Sequence, residues 1–115
     1  QYHGEAFMAL MMERFYGDSL YILDEPEAAL SPSRQMAVLS RIHELVGQRA
    51  QFIIATHSPI LMAYPQSRIY ELSDDGIETV DYTDTEHFAI TRSFLNNHEK
   101  MLARLLDLDA GNDDG

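Results

Sequence analysis

Two short apolar runs along the chain each end in polar residues and predict two strands. Residues 20–23 are apolar and precede Asp24 and Glu25, while residues 52–55 are apolar and precede a polar segment with His57 at its centre. Such runs are typical of strands buried on both faces of a parallel sheet, whose ligands bind beyond the carboxyl ends of the strands. If the two strands are parallel neighbours, Asp24, Glu25 and His57 lie close together.

The segments around these strands have helical patterns. Residues 6–15 are almost wholly apolar, which predicts a buried helix. Ser31 and Pro32 supply an N-cap and a first-turn proline for a second helix, which carries an apolar stripe and closes at Gly47. A short third helix is expected over residues 59–63. The alternation of helices and strands favours an α/β fold with a parallel sheet.

The carboxyl-terminal part of the chain has a different pattern. Two strand-like segments flank a turn signal at Asp75 and Gly76 and predict a β-hairpin. Either Asp84 or Thr85 caps the helix that follows. That helix is interrupted at residues 96–97, and a last helix comes after the interruption.

Composition limits the class of protein. A chain of 115 residues with 45% hydrophobic content has the length of one domain and enough apolar material for a core. No run of residues is long and apolar enough for a membrane span or a signal peptide, so we expect a soluble, cytoplasmic protein with no membrane partner. The absence of cysteine excludes disulfides and thiolate metal sites in these residues.

The charge of the chain is strongly acidic. Its 19 acidic residues against 8 Lys and Arg give a net charge of −11, so we expect no direct nucleic-acid binding by this segment. Part of the acidity lies in residues 107–115, which we expect to be a disordered tail. Residues 1–106 then form the structured part.

The Asp24–Glu25 pair has two interpretations. Before Pro26, two acids can simply end a strand and begin a turn. In nucleoside triphosphatases, however, a carboxylate at this place holds Mg²⁺ and a neighbouring group orients or deprotonates the attacking water. The second strand, with His57 at the same end, favours the functional interpretation.

A complete triphosphate site also needs a glycine-rich loop of the pattern G-x-x-x-x-G-K-[ST]. These residues contain no such loop, and their only lysine is Lys100. Either the loop lies upstream on a longer polypeptide, or this is not a nucleotide enzyme. We therefore expect no meaningful ATP hydrolysis by the 115 residues alone.

Together these motifs resemble the carboxyl-terminal half of an ABC-type ATPase domain, in particular the AAA-family ATPases related to RecF and SMC proteins. Residues 21–26 are similar to a Walker B strand with its catalytic glutamate, and residues 27–31 to a D-loop. Residues 54–59 resemble the switch region, and residues 2–5 the signature motif that opens a helix. The likeness covers nearly the whole chain. It implies that residues 1–106 are the carboxyl-terminal part of an ABC-type ATPase domain, a parallel-sheet P-loop NTPase half-domain with a C-terminal β-hairpin and helices.

The resemblance also implies roles for individual residues. Asp24 would hold Mg²⁺ through its water shell, Glu25 would be the general base, and His57 would contact the γ-phosphate of ATP. The signature-like and D-loop residues would contact nucleotide: Tyr2, His3, Gly4, Glu5 and Ser31. Tyr2 stands where the family usually has serine, and Ser31 where many transporter members have aspartate.

Two functions remain open on the sequence alone. The first is an ATPase domain that works as a homodimer or oligomer and couples hydrolysis to an unidentified effector protein. The second is a non-catalytic interaction or oligomerisation module that keeps the ATPase scaffold, since an apolar parallel sheet with unpaired edges favours self-association.

Overall fold

A computed structural model of the protein describes residues 2–108, with the backbone alone at positions 2 and 3. The predicted acidic tail therefore lies mostly outside the described residues. Contacts divide the chain into two compact units, with the boundary between Ser67 and Arg68. Among the described helices, none has both the length and the apolar character needed to cross a bilayer.

The first unit contains two helices and two strands in alternation. In chain order they are α1 (Tyr2–Arg14), β1 (Leu20–Asp24), α2 (Pro32–Gly47) and β2 (Gln51–Ala55). The second unit contains a hairpin followed by two helices: β3 (Ile69–Ser73), β4 (Gly76–Val80), α3 (Glu86–Asn96) and α4 (His98–Leu105). The predicted mixed α/β class is confirmed.

The two strands of the first unit pair in parallel, as predicted. Leu20 lies opposite Gln51, and the register continues to Asp24 opposite Ala55. Because parallel strands run in the same direction, their carboxyl ends share one edge of the sheet. The residues that follow Asp24 and Ala55 are thereby brought together.

The expectation that both faces of this sheet are buried is wrong for the described residues. Successive side chains of a strand point to opposite faces. On one face, Phe52 and Ile54 pack against the core. On the other face, Ile22 and Ile53 are 71% and 53% exposed. The described helices therefore cover one face of the β1–β2 pair.

The core of the first unit lies between α1, α2 and that covered face. Its buried members are Met11, Leu30, Val38, Ile42 and Leu61. Helix α1 is less buried than its apolar sequence predicts, because it turns only one side to α2 and exposes about half of Leu10 and of Met12.

Helix α2 begins and ends as predicted. The Ser31 hydroxyl accepts the Arg34 N–H at 3.2 Å, and Pro32 is the first helical residue, where its missing N–H costs nothing. The last helical residue is Gly47. The predicted short helix near residues 59–63 is smaller than expected, because only Leu61–Ala63 form a 3₁₀ turn.

The second unit also follows its sequence signals. Strands β3 and β4 pair antiparallel, with Ser73 opposite Gly76, so that Asp74 and Asp75 form the turn. Gly76 has a φ of +122°, which a residue with a side chain rarely adopts. Of the two candidate caps, it is Thr85 that begins α3, since its hydroxyl accepts the Phe88 N–H.

One packing contact of α1 gives a test of this fold. A Cβ atom added at Gly4 would overlap the backbone carbonyl oxygen of Ala29, whereas one added at Gly47 would meet nothing within 4 Å. We expect Gly4→Ala to lower the free energy of unfolding by roughly 1–3 kcal/mol, because backbone must move to make room. Chemical denaturation measures this change.

The matched control is Gly47→Ala in α2. It should be neutral or stabilising by up to about 1 kcal/mol, because alanine is the better helix former. Equal effects of the two substitutions would show that α1 does not pack closely against the segment containing Ala29.

Candidate functional site

Glu25 is the first residue beyond β1, and its backbone turns the chain away from the sheet. Its N–H donates to the Ala55 carbonyl at 2.7 Å, which extends the strand pairing by one residue. Its φ of 49° and ψ of 55° lie in the left-handed region. A residue with a side chain adopts this conformation at a cost of roughly 1 kcal/mol or more, and such residues concentrate at functional sites. The conformation starts the 3₁₀ turn Pro26–Ala29.

Glu27, within that turn, joins the ends of the two strands. One carboxylate oxygen accepts the Thr56 hydroxyl at 2.5 Å, and the other accepts the His57 backbone N–H at 2.9 Å. Both bonds are donated by the segment that follows β2. The Glu27 side chain, in the turn that follows β1, therefore holds two consecutive residues of the segment that follows β2.

The hydrogen bonds also change the acidity of Glu27. Partial burial alone would raise the pKa of its carboxyl, but the Thr56 hydroxyl and the His57 N–H stabilise the charged form and lower the pKa below its ordinary value. A further contribution in the same direction comes from the charge of His57. Glu27 is therefore an anion at neutral pH.

The His57 side chain lies beside Glu25. Its Nδ1 is 3.5 Å from a Glu25 carboxylate oxygen, a contact that becomes an ion pair when the imidazole is protonated. Both side chains are at least half exposed. An imidazole and a carboxylate, both open to solvent, can act on a bound water or a phosphate oxygen.

Glu25, Glu27 and His57 form one group, which we call the strand-end cluster. Each offers one donor atom, and the three atoms lie within 4.8 Å of one another. Donor atoms that share a divalent ion at about 2.1 Å lie at most about 4.2 Å apart, so the side chains would have to close slightly to chelate one. Because both oxygens of Glu27 already accept hydrogen bonds, Glu27 is better suited to support the other two residues.

Behind the cluster, a buried polar network fixes the segment after β2. The Ser58 N–H donates to the Thr56 hydroxyl oxygen at 3.0 Å, and the Ser58 hydroxyl donates to the side-chain carbonyl of Gln35. The Gln35 amide in turn donates to the Leu30 carbonyl at 3.1 Å. Ser58 and Gln35 are both more than 90% buried. Fully satisfied buried networks of this kind rigidify the chain that carries them.

Of the residues predicted as catalytic or metal-binding, the structure brings Glu25 and His57 together. Asp24, predicted to bind the metal, is the last residue of β1 and directly precedes Glu25 in the chain, but its exposed side chain is not a member of the strand-end cluster. Glu27 was predicted only as part of a D-loop-like segment. The signal that could have identified it is a third acid at the same strand end, in the sequence Asp-Glu-Pro-Glu.

The residues predicted to contact nucleotide are divided between two elements. Gly4 and Glu5 lie in α1, where Gly4 is buried and Glu5 reaches Arg34 of α2 at 3.7 Å. Tyr2 and His3 lie in the first turn of α1, and their side chains are outside the described residues. The hydroxyl of Ser31 is the N-cap of α2. Nucleotide contact by these five residues stays a prediction.

Comparison with known families identifies the type of domain. A family model described as "AAA domain, putative AbiEii toxin, Type IV TA system" matches residues 6–63, just over half of the chain. The chain belongs to this AAA domain family. The matched residues include both parallel strands, α2 and the strand-end cluster, and they end before the hairpin. No curated protein matches the chain.

Membership in the AAA domain family supports a nucleotide-binding, ATPase-like function for the first unit. The family match agrees with the predicted use of ATP and Mg²⁺, although it does not identify the residues that bind them. The match supports the AAA, ATPase-like part of the predicted resemblance over residues 6–63, and the likeness to ABC-type, RecF and SMC proteins stays a prediction.

The lowered pKa of Glu27 predicts how stability depends on pH. A carboxyl whose folded pKa is depressed contributes stability above its unfolded pKa, about 4.3, and that contribution is lost as the pH falls through the folded pKa. At pH 7 we expect Glu27→Gln to be less stable than the wild type by roughly 1 kcal/mol, since solvent screens part of the interaction.

Urea denaturation at pH 7 and near pH 3 checks this expectation. The difference between the wild type and Glu27→Gln should shrink at the acidic end, because the contribution of the carboxylate is lost as the pH falls through its lowered folded pKa. A difference that is the same at both pH values would contradict an ionised, hydrogen-bonded Glu27.

Proposed function

We propose that these residues are the Walker B, D-loop and switch part of a P-loop, ABC-type ATPase domain related to RecF and SMC proteins. The observation that carries the proposal is the position of Glu25 and His57, 3.5 Å apart at the carboxyl edge of two parallel strands. Ligands of parallel sheets bind at this edge. The AAA family match over the same residues supports the nucleotide as that ligand.

The proposed chemistry is hydrolysis of the γ-phosphoryl group of ATP. Asp24 would bind Mg²⁺ through water, since Mg²⁺ keeps several waters and uses few protein carboxylates. Glu25 would accept a proton from the attacking water, whose oxygen then bonds to the γ-phosphorus as the bond to ADP breaks. His57 would contact an oxygen of the γ-phosphate. All three roles need open side chains at the strand ends, and Asp24, Glu25 and His57 are exposed there.

The phosphate-binding loop and the contacts between subunits would complete the proposed site. A glycine-rich lysine loop, which these 115 residues do not contain, would hold the β- and γ-phosphates. In a homodimer, the signature-like residues 2–5 and Ser31 would contact the nucleotide of the partner subunit. The free energy of hydrolysis would be coupled to an effector protein.

The central test substitutes the proposed general base in the full-length native polypeptide. Glu25→Gln should lower the kcat for ATP hydrolysis at least about 100-fold, because the amide cannot accept the proton of the attacking water. The Kd for ATP·Mg²⁺ should change by no more than about threefold, because the change spares the phosphate contacts. Phosphate release and equilibrium binding measure the two quantities.

The matched control is Glu78→Gln, an exposed residue of β4 with the same change of charge. It should leave both quantities unchanged. Wild-type turnover in Glu25→Gln would refute the assignment of Glu25 and, with it, the proposed site.

A second function, a non-catalytic oligomerisation module, is favoured by one observation. The outer face of the β1–β2 pair exposes Leu20, Ile22 and Ile53, each by more than half. Exposed adjacent apolar side chains on a sheet favour association.

Analytical ultracentrifugation of the 115-residue chain tests this alternative. If the chain is an oligomerisation module, it should sediment as an oligomer whose mass does not change when ATP is added. Ile22→Lys should dissociate this oligomer, because burying a charged side chain on the apolar face costs free energy. A monomer that binds ATP·Mg²⁺ tightly would contradict it.

A further inference from the structure

We infer that Glu27 is a positioning residue that holds the main chain at His57, so that the imidazole stays beside Glu25. The inference rests on the proposed function, since it assigns Glu27 to the same hydrolytic site. Its geometric basis is the pair of hydrogen bonds from the Thr56 hydroxyl and the His57 N–H to the two Glu27 oxygens.

The segment that carries His57 needs such support. Strand β2 ends at Ala55, so the ladder of backbone hydrogen bonds that fixes the strand no longer holds residues 56–58. The network of Ser58 and Gln35 fixes this segment from the buried side. On the exposed side, the His57 N–H itself is held by Glu27. Both supports restrict the direction in which the imidazole leaves the backbone.

Glu27 can act in this way because its own turn is fixed to Glu25. The Ala28 N–H donates to the Glu25 carbonyl at 3.1 Å, and the Leu30 N–H donates to the Glu27 carbonyl at 3.0 Å. Glu25 and Glu27 are therefore parts of one short turn. A closed set of contacts then runs from Glu25 through the turn to Glu27, from Glu27 to the His57 backbone, and from the His57 ring back to Glu25.

The negative charge of Glu27 strengthens both hydrogen bonds that its side chain accepts. A carboxylate can accept two hydrogen bonds on two different oxygens, whereas a carboxamide has one acceptor oxygen and one donor nitrogen. Glu27→Gln can keep the bond from the His57 N–H on its amide oxygen and can donate its amide N–H to the Thr56 hydroxyl oxygen, but both bonds are then weaker because the side chain carries no charge. Glu27→Ala loses both. The two substitutions form a graded series at a residue to which the proposed mechanism gives no proton transfer.

The experiment measures kcat and KM for ATP in the full-length native polypeptide. We expect Glu27→Ala to lower kcat by roughly 10- to 100-fold, because small displacements of a reacting group have effects of this size. KM should stay within about twofold, and Glu27→Gln should give an intermediate kcat. Glu78→Gln is the control for charge.

A double-mutant cycle separates positioning from general damage. If Glu27 acts through His57, Glu27→Ala should cause no further loss of kcat when it is added to His57→Ala. An equal loss in both backgrounds would overturn the inference, because a general structural defect acts whether or not the imidazole is present. A wild-type kcat in Glu27→Ala would also overturn it, and would leave the proposed role of Glu25 intact.

Amide hydrogen exchange supplies a readout that does not depend on activity. Glu27→Ala should accelerate exchange at the His57 amide at least about tenfold, because the acceptor of that N–H is removed, while Glu78→Gln should not. Unchanged exchange would overturn the inference. A wild-type polypeptide without ATPase activity would overturn the proposed function and the positioning role together, and accelerated exchange would then confirm the contact alone.

Discussion

The parallel pairing of β1 with β2 is the constraint on which the site depends. Its register sets Asp24 opposite Ala55, and the bond from the Glu25 N–H to the Ala55 carbonyl continues the pairing one residue further. From that point the two chains separate, and each presents polar groups at the same edge. A register shift of one residue would send the side chains of a strand to the opposite face and separate Glu25 from His57.

The candidate site combines a buried supporting part with an exposed part that carries the proposed catalytic groups. Ser58 and Gln35 are buried and hydrogen-bonded, whereas Glu25 and His57 are open to solvent. Glu27 stands between the two parts, because it is partly buried and its carboxylate meets the segment that carries His57. This division suits phosphoryl transfer, in which the protein mainly positions groups and stabilises charge.

The sequence predicts the elements of the first unit well, because its signals are local. The apolar runs predict β1 and β2, the Ser31–Pro32 pair predicts the start of α2, and all three are confirmed. Burial was harder to predict, since it depends on which faces the described elements cover. The bonds of Glu27 could not be predicted, because they depend on the left-handed backbone of Glu25 and on the placement of a segment about 30 residues away.

The most direct measurement is a structure of the full-length native polypeptide with Mg²⁺, ADP and a fluoride analogue of the transferred phosphoryl group. The proposed mechanism predicts that Asp24 accepts a hydrogen bond from a metal-bound water and that a Glu25 oxygen lies about 3 Å from the in-line water. His57 should lie within hydrogen-bond distance of the fluoride group. A nucleotide bound away from the carboxyl ends of β1 and β2, or a Glu25 directed away from the analogue, would contradict it.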